Sequence, residues 1–166
     1  MYKYDTLFLD RDGVINKKLD GKYVCNFSDF EFIPGALKAI SELNKVFNRI
    51  IIVTNQQGIG KGIMSVSDLN ALHIQMSEKI KSSGGMIDKI YYCPHLQELN
   101  CLCRKPKPGM IQQAIIDFPE IVINHSYLLG DSDTDILAGK RMKLDTVKVD
   151  NDYTLAKWTS DLLQVS

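Results

Sequence analysis

The chain has 166 residues, of which 45% are hydrophobic and 24% are charged, and its 20 basic residues balance 20 acidic ones. This length fits one domain over residues 1–166, and the composition argues against a disordered, collagen-like or coiled-coil chain. Zero net charge provides no overall positive field that would attract nucleic acid or an acidic membrane surface.

The sequence predicts a cytoplasmic protein that does not enter a membrane. Its apolar runs, such as residues 50–53, have the length of strands rather than the ~20 residues of a membrane-spanning helix. Asp10 interrupts the first apolar segment, which is atypical of a signal peptide. In the cytoplasm, the four cysteines favour free thiols or metal ligands over disulfide bonds.

The first half of the chain predicts two strand–helix pairs. Residues 6–9 predict a buried strand, and Pro34-Gly35 precede a helix with apolar residues at helical spacing. The buried positions of that helix are predicted to be Leu37, Ile40, Leu43 and Phe47. Residues 50–53 predict a second strand, which leads through a glycine-containing loop into a helix capped by Ser67. That helix is expected to end near Gly84-Gly85 and to bury Leu69, Leu72, Met76 and Ile80.

The second half continues the alternation. Residues 87–92 predict a third strand, and Pro108 fits the first turn of the helix that follows a cysteine-rich loop. The buried side of that helix is predicted to consist of Met110, Ile111, Ala114, Ile115 and Phe118. Residues 127–129 and 146–149 predict two more strands, separated by a short helix over residues 134–141.

Strands that alternate with helical stretches predict βαβ crossovers, because parallel strands need long connections. We therefore expect an α/β fold with a doubly wound, mostly parallel sheet. In such sheets, ligands bind outside the carboxyl ends of the strands. Polar residues are concentrated at those predicted ends, namely Asp10, Asp12, Thr54, Lys105, Asp131 and Asp135. This agreement indicates a ligand site at that edge.

The first polar cluster, Asp10-Arg11-Asp12-Gly13, follows the first strand. Residues two apart project to the same side of an extended chain, so the two carboxylates share a small volume and repel each other without a cation. Mg²⁺ fits this pair, since it binds through one or two carboxylates together with substrate phosphates. The alternative is an ordinary turn, which aspartate and glycine also favour.

A second acidic cluster, residues 131–135, follows the fourth strand. Asp131 is expected to supply a further metal oxygen, and Asp135 to orient it from the second shell or to ligate through water. The alternative is a set of capping residues for a helix that starts at Thr134, where acidic side chains are favourable. Both roles are compatible, because capping does not use every carboxylate oxygen.

Thr54 and Lys105 are expected to bind a phosphoryl group. A threonine hydroxyl and the backbone N–H groups of the following turn can hold phosphate, and a lysine ammonium is a point charge suited to a phosphoryl oxygen. The alternatives are a common glycine-containing loop for Thr54 and a solvated basic loop for Lys105.

The cysteine-rich loop contains four metal-ligating side chains: Cys93, His95, Cys101 and Cys103. Four such ligands complete a tetrahedral Zn²⁺ site with no open position, so we predict a structural zinc ion that pins the loop. The alternative is a group of reduced thiols. The remaining cysteine, Cys25, is expected to be a plain thiol, and the other histidines, His73 and His125, to be structural.

The combination of these clusters resembles the haloacid dehalogenase (HAD) superfamily of phosphotransferases. The motifs are Asp-x-Asp, Thr, Lys and Gly-Asp-x-x-x-Asp, each after a separate strand, over residues 6–149. The resemblance implies a Rossmann-like three-layer α/β/α fold, and little of the chain remains for a large cap domain. It also implies that Asp10 is the nucleophile that forms an aspartyl phosphate, and that Asp12 is the general acid and base.

The same resemblance implies the ligands of a catalytic Mg²⁺ ion. They are Asp10, the backbone carbonyl of Asp12, and Asp131, with Asp135 in the second shell. Thr54 and Lys105 would stabilise the charge of the phosphoryl group.

Four segments narrow the resemblance to the D-glycero-D-manno-heptose 1,7-bisphosphate 7-phosphatases and the related histidinol-phosphate phosphatases. They are D-R-D-G-V-I-N, T-N-Q-Q-G-I-G-K-G, Y-Y-C-P-H and C-R-K-P-K-P-G-M. The stretch over residues 20–24 resembles the heptose branch, which implies removal of the 7-phosphate in the synthesis of heptose for cell-surface polysaccharide. The implied substrate contacts are Asp20, Gly21, Lys22, Tyr23, Thr54, Asn55, Gln56, Gln57, Arg104 and Lys105.

Three alternatives remain open. Histidinol phosphate is favoured by the short spacer between His95 and Cys101. Ser132 stands where both branches often carry a basic residue, so one implied contact to the phosphate is missing. A phosphoacceptor signalling domain shares the pattern of Asp, hydroxyl and Lys, but Asp12 would speed the loss of its phosphate. A zinc module for nucleic acid is disfavoured by zero net charge and few interleaved aromatic residues. We therefore expect a monomeric phosphatase, with Mg²⁺ and Zn²⁺, that acts on a small phosphorylated metabolite.

Overall fold

The computed structural model describes residues 1–165, so Ser166, at the end of the predicted domain, lies outside the described residues. Within them, strands and α-helices alternate along the chain. In chain order they are β1 (Tyr4–Leu9), α1 (Ala36–Leu43), β2 (Phe47–Asn55), α2 (Val66–Ser82), β3 (Lys89–Cys93), α3 (Gly109–Asp117), β4 (Tyr127–Gly130), α4 (Asp133–Arg141), β5 (Asp145–Lys148) and α5 (Leu155–Gln164). Short 3₁₀ turns cover Phe27–Asp29, Gln97–Leu99 and Ile123–His125.

The strands form one sheet in the order β3-β2-β1-β4-β5, and every neighbouring pair is parallel. β1 lies in the centre. The chain adds β2 and β3 on one side of β1 and then crosses back to add β4 and β5 on the other, which confirms the predicted doubly wound sheet. Asp10 directly follows β1, at the point where the strand order reverses. Ligands of such sheets bind at this point.

Helices cover both faces of the sheet. Along β1, Leu7 and Leu9 pack with residues of α1, α2 and α5, whereas Phe8 packs with residues of α3 and α4 on the opposite face. This alternation follows from the two-residue period of a strand. All three side chains are fully buried, as expected for a parallel sheet with both faces covered. The three-layer α/β/α arrangement is therefore confirmed.

The starts of two elements correct the sequence-based prediction. Phe47, predicted on the buried face of α1, begins β2 instead and stacks on Tyr4 with ring centroids 4.9 Å apart. The N-cap of α2 is Ser65 rather than Ser67. The Ser65 hydroxyl accepts from the backbone N–H of Asp68, whose carboxylate accepts from the backbone N–H of Ser65. This reciprocal capping box satisfies two backbone donors at once, and it fixes the start of the helix.

The helices α3 and α4 also begin elsewhere than predicted. α3 starts at Gly109, so Pro108 occupies the N-cap position rather than the first turn. α4 is capped by Ser132 and starts one residue before Thr134, because Ser132 and Asp135 form a second capping box. The predicted capping role of residues 131–135 is thus confirmed, with the helix and its cap starting one residue earlier.

The C-terminal helix α5 is absent from the sequence-based prediction. Thr154 caps it, with its hydroxyl accepting from the backbone N–H of Lys157 at 3.3 Å. Leu155 and Trp158 are buried in the same core as α1 and α2. The helix therefore completes one layer of the fold.

The connections between elements carry little structure of their own. The connection over residues 10–35 contains one 3₁₀ turn and isolated bridges, and the described residues include no large cap domain. This confirms the predicted absence of such a cap. None of the helices in the described range is both long enough and apolar enough to cross a membrane.

Candidate active site

The predicted catalytic residues meet at the carboxyl ends of the strands. Asp10 follows β1, Asp131 follows β4, and Asn55 closes β2. The backbone N–H of Asp10 donates to the carbonyl of Leu129 on β4 at 3.0 Å, which extends the sheet geometry to the first functional residue. Because parallel strands end at one edge, side chains that are distant in sequence share a single site there.

Lys105 provides the positive charge at the centre of this site. Its Nζ lies 3.0 Å from Asp10 Oδ1 and 2.5 Å from Asp135 Oδ1, and it donates to the carbonyl of Val53 at 2.8 Å. Burial lowers the pKa of Lys105, but the two carboxylates outweigh this effect and raise the pKa above its usual value. Lys105 therefore stays protonated and neutralises part of the buried negative charge.

Asn55 holds the backbone of Lys105 from the end of β2. Its Oδ1 accepts from the N–H of Lys105 at 3.1 Å, and its Nδ2 donates to the carbonyl of Lys105 at 3.3 Å. Since both backbone groups are held, the point from which the flexible lysine side chain extends is fixed. Asn55 thus has a positioning contact in addition to its predicted place beside the substrate.

Asp10 lies in surroundings that disfavour its charge. Burial raises the pKa of Asp10 to about 8; Lys105 opposes this increase, and the neighbouring carboxylates add to it. An ionised Asp10 therefore needs more positive charge than one lysine provides. A divalent cation would supply that charge.

The acidic side chains fit such a cation. Carboxylate oxygens of Asp10, Asp131 and Asp135 lie within 4.8 Å of one another. Oδ1 of Asp131 is buried without a hydrogen-bond partner among the protein groups, so it is free to bind an ion or a water molecule. Gly13, at φ +87°, makes room for this carboxylate, because a Cβ there would lie 2.1 Å from Asp131 Oδ2. The oxygen donors and their spacing suit a hard cation such as Mg²⁺.

Asp135 uses its oxygens on neighbouring protein groups. Its Oδ1 pairs with Lys105, and its Oδ2 accepts from the backbone N–H of Ser132 at 3.2 Å and from the Ser132 hydroxyl at 2.8 Å. Burial raises the pKa of Asp135, but Lys105 and these hydrogen bonds lower it overall. Asp135 is therefore ionised, and it orients both Lys105 and the start of α4. These contacts suit the predicted role of Asp135, which is to orient neighbouring groups of the metal site.

Asp12 is held by three donors. Its Oδ1 accepts from Arg11 Nη2 at 2.8 Å and from Asn16 Nδ2 at 2.9 Å, and its Oδ2 accepts from Gln56 Nε2 at 2.9 Å. Burial raises the pKa of Asp12, but the charge of Arg11 and these hydrogen bonds outweigh it and lower the pKa. Asp12 is therefore oriented and ionised as a base, and it must gain a proton before it can act as an acid.

Arg11 continues this chain of contacts away from the cavity. Its guanidinium is fully buried, and its Nη1 lies 3.0 Å from Nε2 of His73 on α2. The guanidinium carbon lies 5.8 Å from the ring centroid of Phe30, which covers one face of the group. The sequence pattern predicts no role for Arg11 and a structural role for His73.

The catalytic cluster opens into a cavity of about 480 Å³. Its walls include most of the predicted substrate contacts, namely Gly21, Lys22, Tyr23, Asn55, Gln56, Gln57, Arg104 and Lys105. Asp20 lines an adjoining cavity instead. Two further cations, Lys18 and Lys61, also line the catalytic cavity, and Lys18 Nζ lies 3.4 Å from Asp131 Oδ2.

Thr54 lies beneath the side chain of Gln56. Thr54 is fully buried, and its hydroxyl accepts from Gln56 Nε2 at 2.9 Å. The backbone N–H of Gln56 donates to the carbonyl of Cys93 at 2.7 Å, so this amide of the loop is already used. Gln56 Nε2 therefore bridges Thr54 and Asp12, and it links the end of β2 to the Asp-x-Asp motif.

Tyr23 and Gln57 join two walls of the cavity. Gln57 Nε2 donates to the Tyr23 hydroxyl at 3.1 Å, and Lys61 Nζ lies 5.4 Å from the centroid of the Tyr23 ring. Gly58 packs against this ring, where a Cβ would lie 3.2 Å from Tyr23 Cγ. The loop after β1 and the loop after β2 therefore close one side of the cavity together.

The four predicted zinc ligands come together beside the cavity. Cys93, His95, Cys101 and Cys103 place one ligand atom each within 4.8 Å of one another, and their thiols are free. Cys103 Sγ lies 2.9 Å from Cys93 Sγ and 3.2 Å from His95 Nδ1. Three sulfur donors and one imidazole are a set that can hold Zn²⁺. Cys25 is separate from this cluster, and its thiol contacts the carbonyl of Tyr23 at 3.5 Å.

The chain is similar to named enzymes over most of its length. Residues 102–163 match the HAD-hydrolase-like family. A D-glycero-alpha-D-manno-heptose-1,7-bisphosphate 7-phosphatase from Mycobacterium bovis is 42% identical over 130 residues, which cover 78% of this chain and 68% of that protein. A D-glycero-beta-D-manno-heptose-1,7-bisphosphate 7-phosphatase from Helicobacter pylori is 39% identical over 139 residues, covering 83% and 79%. The chain belongs to the heptose-1,7-bisphosphate 7-phosphatase family of HAD-like hydrolases.

A solved structure supports this assignment. The crystal structure of D,D-heptose 1,7-bisphosphate phosphatase from B. bronchiseptica, in complex with magnesium and phosphate, has a TM-score of 0.89 and 29% sequence identity. The similarity covers 98% of this chain and 99% of that chain. As a member of this family, the chain is a phosphatase that hydrolyses phosphomonoesters.

Several residues around the site of this heptose-phosphatase family member are absent from the sequence-based prediction. Arg11 and Asn16 lie inside D-R-D-G-V-I-N, and Lys61 lies inside T-N-Q-Q-G-I-G-K-G. Their position in these two motifs was the signal that could have placed them near the site. Lys18 has no such signal, because it reaches Asp131 only through the path of a long loop. His73 was predicted to be structural, and its contact with Arg11 was not predicted; its position among the buried residues of α2 was a signal, since a buried imidazole needs a polar partner.

Proposed function

We propose that the enzyme removes the 7-phosphate of a D-glycero-D-manno-heptose 1,7-bisphosphate, by transferring the phosphoryl group first to Asp10 and then to water. The observation that carries the proposal is the pairing of buried Asp10 with Lys105 at the strand edge, beside an oriented Asp12. The family relationship supports the substrate class.

In the first step, a carboxylate oxygen of Asp10 attacks phosphorus while the bond between phosphorus and the ester oxygen of C7 breaks. Protonated Asp12 gives its proton to that oxygen, so the sugar leaves as an alcohol. Lys105, 3.0 Å from Asp10 Oδ1, stabilises the negative charge that gathers at the phosphoryl group. The product of this step is an aspartyl phosphate at Asp10, and one difficult displacement has become two easier ones.

In the second step, a water molecule attacks the phosphorus of the aspartyl phosphate. Asp12 takes a proton from this water, and the bond between phosphorus and the Asp10 oxygen breaks, releasing inorganic phosphate. Asp12 thereby regains the proton that it gave in the first step. The hydrogen bonds from Asn16 and Gln56 hold the Asp12 carboxylate in place for both transfers.

Asp10, Asp131 and the backbone carbonyl of Asp12 would hold Mg²⁺ in this site. The partnerless Oδ1 of Asp131 and the raised pKa of Asp10 support this assignment. When bound, the ion supplies positive charge that keeps Asp10 ionised and offsets the charge of the phosphoryl oxygens. Asp135 supports the site through Lys105 and Ser132.

We assign a structural Zn²⁺ ion to the four-donor cluster, Cys93, His95, Cys101 and Cys103. A closed set of four ligands leaves no position for a reacting water. Few apolar side chains of this loop pack inward, since Leu99 is 62% exposed and Leu102 is 79% exposed. Arg104 and Lys105 follow the last ligand directly, so an ion in this loop would hold two cations of the active site in place.

The charge of the cavity suits a substrate with two phosphates. Five cationic side chains line it: Lys18, Lys22, Lys61, Arg104 and Lys105. Lys105 is paired with Asp10, at the reacting end. Arg104 Nη1 is buried without a hydrogen-bond partner, so it offers a donor for the second phosphate.

The test is phosphate release from the alpha and beta anomers of the heptose 1,7-bisphosphate and from L-histidinol phosphate, at equal enzyme and Mg²⁺. We expect kcat/KM for one heptose anomer to exceed that for histidinol phosphate by at least ~100-fold. The reverse preference would overturn the substrate assignment. Absence of phosphate release from all three compounds would overturn the chemistry.

Arg104→Gln tests the contact to the second phosphate. The loss of a charge-assisted bond should raise KM for the bisphosphate by about 10-fold or more, but should change KM for heptose 7-phosphate little. Lys107→Gln is the matched control, because Lys107 contacts Asn100 in the same loop and does not line the cavity. Equal effects of Arg104→Gln on both substrates would contradict the assignment.

A further inference from the structure

A buried polar chain runs from the Asp-x-Asp motif to helix α2. Arg11 Nη2 donates to Asp12 Oδ1 at 2.8 Å, and Arg11 Nη1 lies 3.0 Å from His73 Nε2. Arg11 is fully buried and His73 is 7% exposed. Neither residue is among those that line the catalytic cavity. These two side chains therefore reach Asp12 from the side that faces away from the cavity.

The chemistry of the two partners fixes the state of His73. A guanidinium is always protonated and only donates hydrogen bonds, so His73 Nε2 must accept through its lone pair. The imidazole is therefore neutral, with its proton on Nδ1. Burial and the adjacent Arg11 charge lower the pKa of His73 to about 3, which agrees with this state.

We propose that His73 is a positioning residue for the general acid and base Asp12, and that it acts through Arg11. Arg11 Nε has no hydrogen-bond partner, so the contacts of the guanidinium nitrogens to His73 and Asp12 orient its fork. Removing the acceptor on His73 would leave Arg11 Nη1 without this hydrogen-bond partner. The Arg11 side chain could then turn, and Asp12 would lose its charged partner at Oδ1.

Orientation matters at Asp12 because proton transfer needs hydrogen-bond distance to the leaving oxygen. A displacement of about 1 Å can slow such a step by ~10²-fold. The proton that Asp12 delivers goes to the ester oxygen as its bond to phosphorus breaks. A leaving group that departs as a stable anion does not need this proton. The role of His73 should therefore be visible in how the rate depends on the leaving group.

The experiment measures the first step alone, as substrate consumption in single turnovers with enzyme in excess. The substrates are the heptose 1,7-bisphosphate, whose alcohol needs a proton, and 4-nitrophenyl phosphate, whose phenolate does not. His73→Leu should slow the first step by about 10- to 100-fold with the heptose substrate, and by less than about 3-fold with the aryl phosphate. His73→Gln, whose side-chain oxygen can accept from Arg11, should restore the heptose rate to within a few-fold of wild type.

A merely structural role for His73 predicts a different result. Loss of packing would slow both substrates by the same factor, and Gln would not restore the rate selectively. Either of these outcomes, or an unchanged heptose rate in His73→Leu, would overturn the proposal.

A comparison of Arg11→Met with Arg11→Met/His73→Leu tests the proposal even if the single variant His73→Leu does not fold. The double variant Arg11→Met/His73→Leu leaves neither side chain as an unpaired buried polar group. If His73 acts through Arg11, the double variant should match Arg11→Met within about 2-fold in the first step. A further loss as large as that expected for His73→Leu alone would contradict the proposal.

The inference rests on the proposed acid role of Asp12, and Asp12→Asn separates the two. Asp12→Asn should slow the first step strongly with the heptose substrate and weakly with 4-nitrophenyl phosphate. If Asp12→Asn slows both equally, the acid role itself is wrong. If Asp12→Asn is selective and His73→Leu is not, only the role of His73 is wrong.

Discussion

Two clusters of side chains in this enzyme could each hold a metal ion, and they are positioned in opposite ways. The acidic cluster lies at the ends of β1 and β4 and in the first turn of α4, and it consists of Asp10, Asp131 and Asp135. The thiol cluster starts at the end of β3 and otherwise lies in the connection to α3, and it consists of Cys93, His95, Cys101 and Cys103. Strands and a helix position the first cluster, whereas a loop carries most of the second.

This difference separates what each ion is expected to do. The carboxylates of the acidic cluster repel one another, so the fold holds them together at a cost in stability, and a cation relieves it. The loop of the thiol cluster has few buried apolar side chains, so metal binding itself would provide its stability. Loss of Mg²⁺ should therefore stop the reaction and leave the fold intact, while loss of Zn²⁺ should loosen the loop.

The largest expected effect is on the acidic cluster. Asp10→Asn should lower the rate of phosphate release by at least ~10⁴-fold, because the nucleophile is gone. Its melting temperature should not fall, since the surroundings of Asp10 disfavour a charge and a neutral amide carries none. Asp133→Asn is the matched control, because Asp133 is 94% exposed and pairs with Lys148 on the surface. Turnover of Asp10→Asn within about 10-fold of wild type would contradict the nucleophile role.

A smaller effect is expected when a metal ligand of the same cluster is changed. Asp131→Asn should raise the Mg²⁺ concentration that gives half-maximal activity by at least ~10-fold. The free energy of unfolding without Mg²⁺ should stay the same or rise. Titration of activity with Mg²⁺ and urea unfolding in a chelator measure the two quantities. Unchanged Mg²⁺ dependence with a clear loss of stability would show that Asp131 stabilises the fold and does not bind the ion.

The thiol cluster should respond in the opposite way. Cys101→Ser removes one of four donors, so bound zinc should fall. If the free energy of unfolding falls by ~3 kcal/mol, the melting temperature should drop by about 6–12 °C, since each kcal/mol corresponds to ~2–4 °C. Activity measured well below the melting temperature should fall less than in the Asp10 variant. Cys25→Ser is the control, since Cys25 lies outside the cluster. Wild-type zinc content and melting temperature in Cys101→Ser would show that the cluster holds no structural ion.

The smallest expected effect concerns His73 on α2, which contacts Arg11 behind Asp12. The folded pKa of His73 is lowered to about 3 by burial and by Arg11, against 6.5 as its ordinary value. Below pH 6.5, the unfolded chain therefore binds a proton that the folded chain does not, and this contribution to stability is lost as the pH falls. Between pH 6.5 and 5, wild type should lose about 1.6 kcal/mol more stability than His73→Gln.

Urea unfolding of wild type and His73→Gln at several pH values checks this expectation. The comparison cancels the titration of groups that both proteins share, including Asp12. Parallel pH dependences of the two proteins would show that His73 is not held neutral by its surroundings.

The strands and most of the acidic cluster could be predicted because their signals are local. Residues 50–53 form an apolar run of strand length, and Asp131 follows another such run directly. Parallel strands then bring their carboxyl ends together, which determines that Asp10 and Asp131 are neighbours. The thiol cluster was equally visible, because its four ligand types occur within a short stretch.

The remaining features depend on tertiary contacts that no local pattern contains. Phe47 has the apolar character of a helix face, but its stacking on Tyr4 places it in β2. Asp20 lies on a long loop without periodicity, and the path of that loop takes it into the adjoining cavity. The contact between Arg11 and His73 joins two motifs through the core, so only the packed structure reveals it.

Covalent catalysis by Asp10 is tested most directly by detecting the phosphoryl group on this side chain. Asp12→Asn mixed with 4-nitrophenyl phosphate should release a burst of one 4-nitrophenolate per active site and then turn over slowly, because the phenolate leaves without a proton while the aspartyl phosphate lacks its base. Mass spectrometry of the quenched protein should find the phosphoryl group on the peptide that contains Asp10. Release without a burst, and no modified peptide, would contradict covalent catalysis by Asp10.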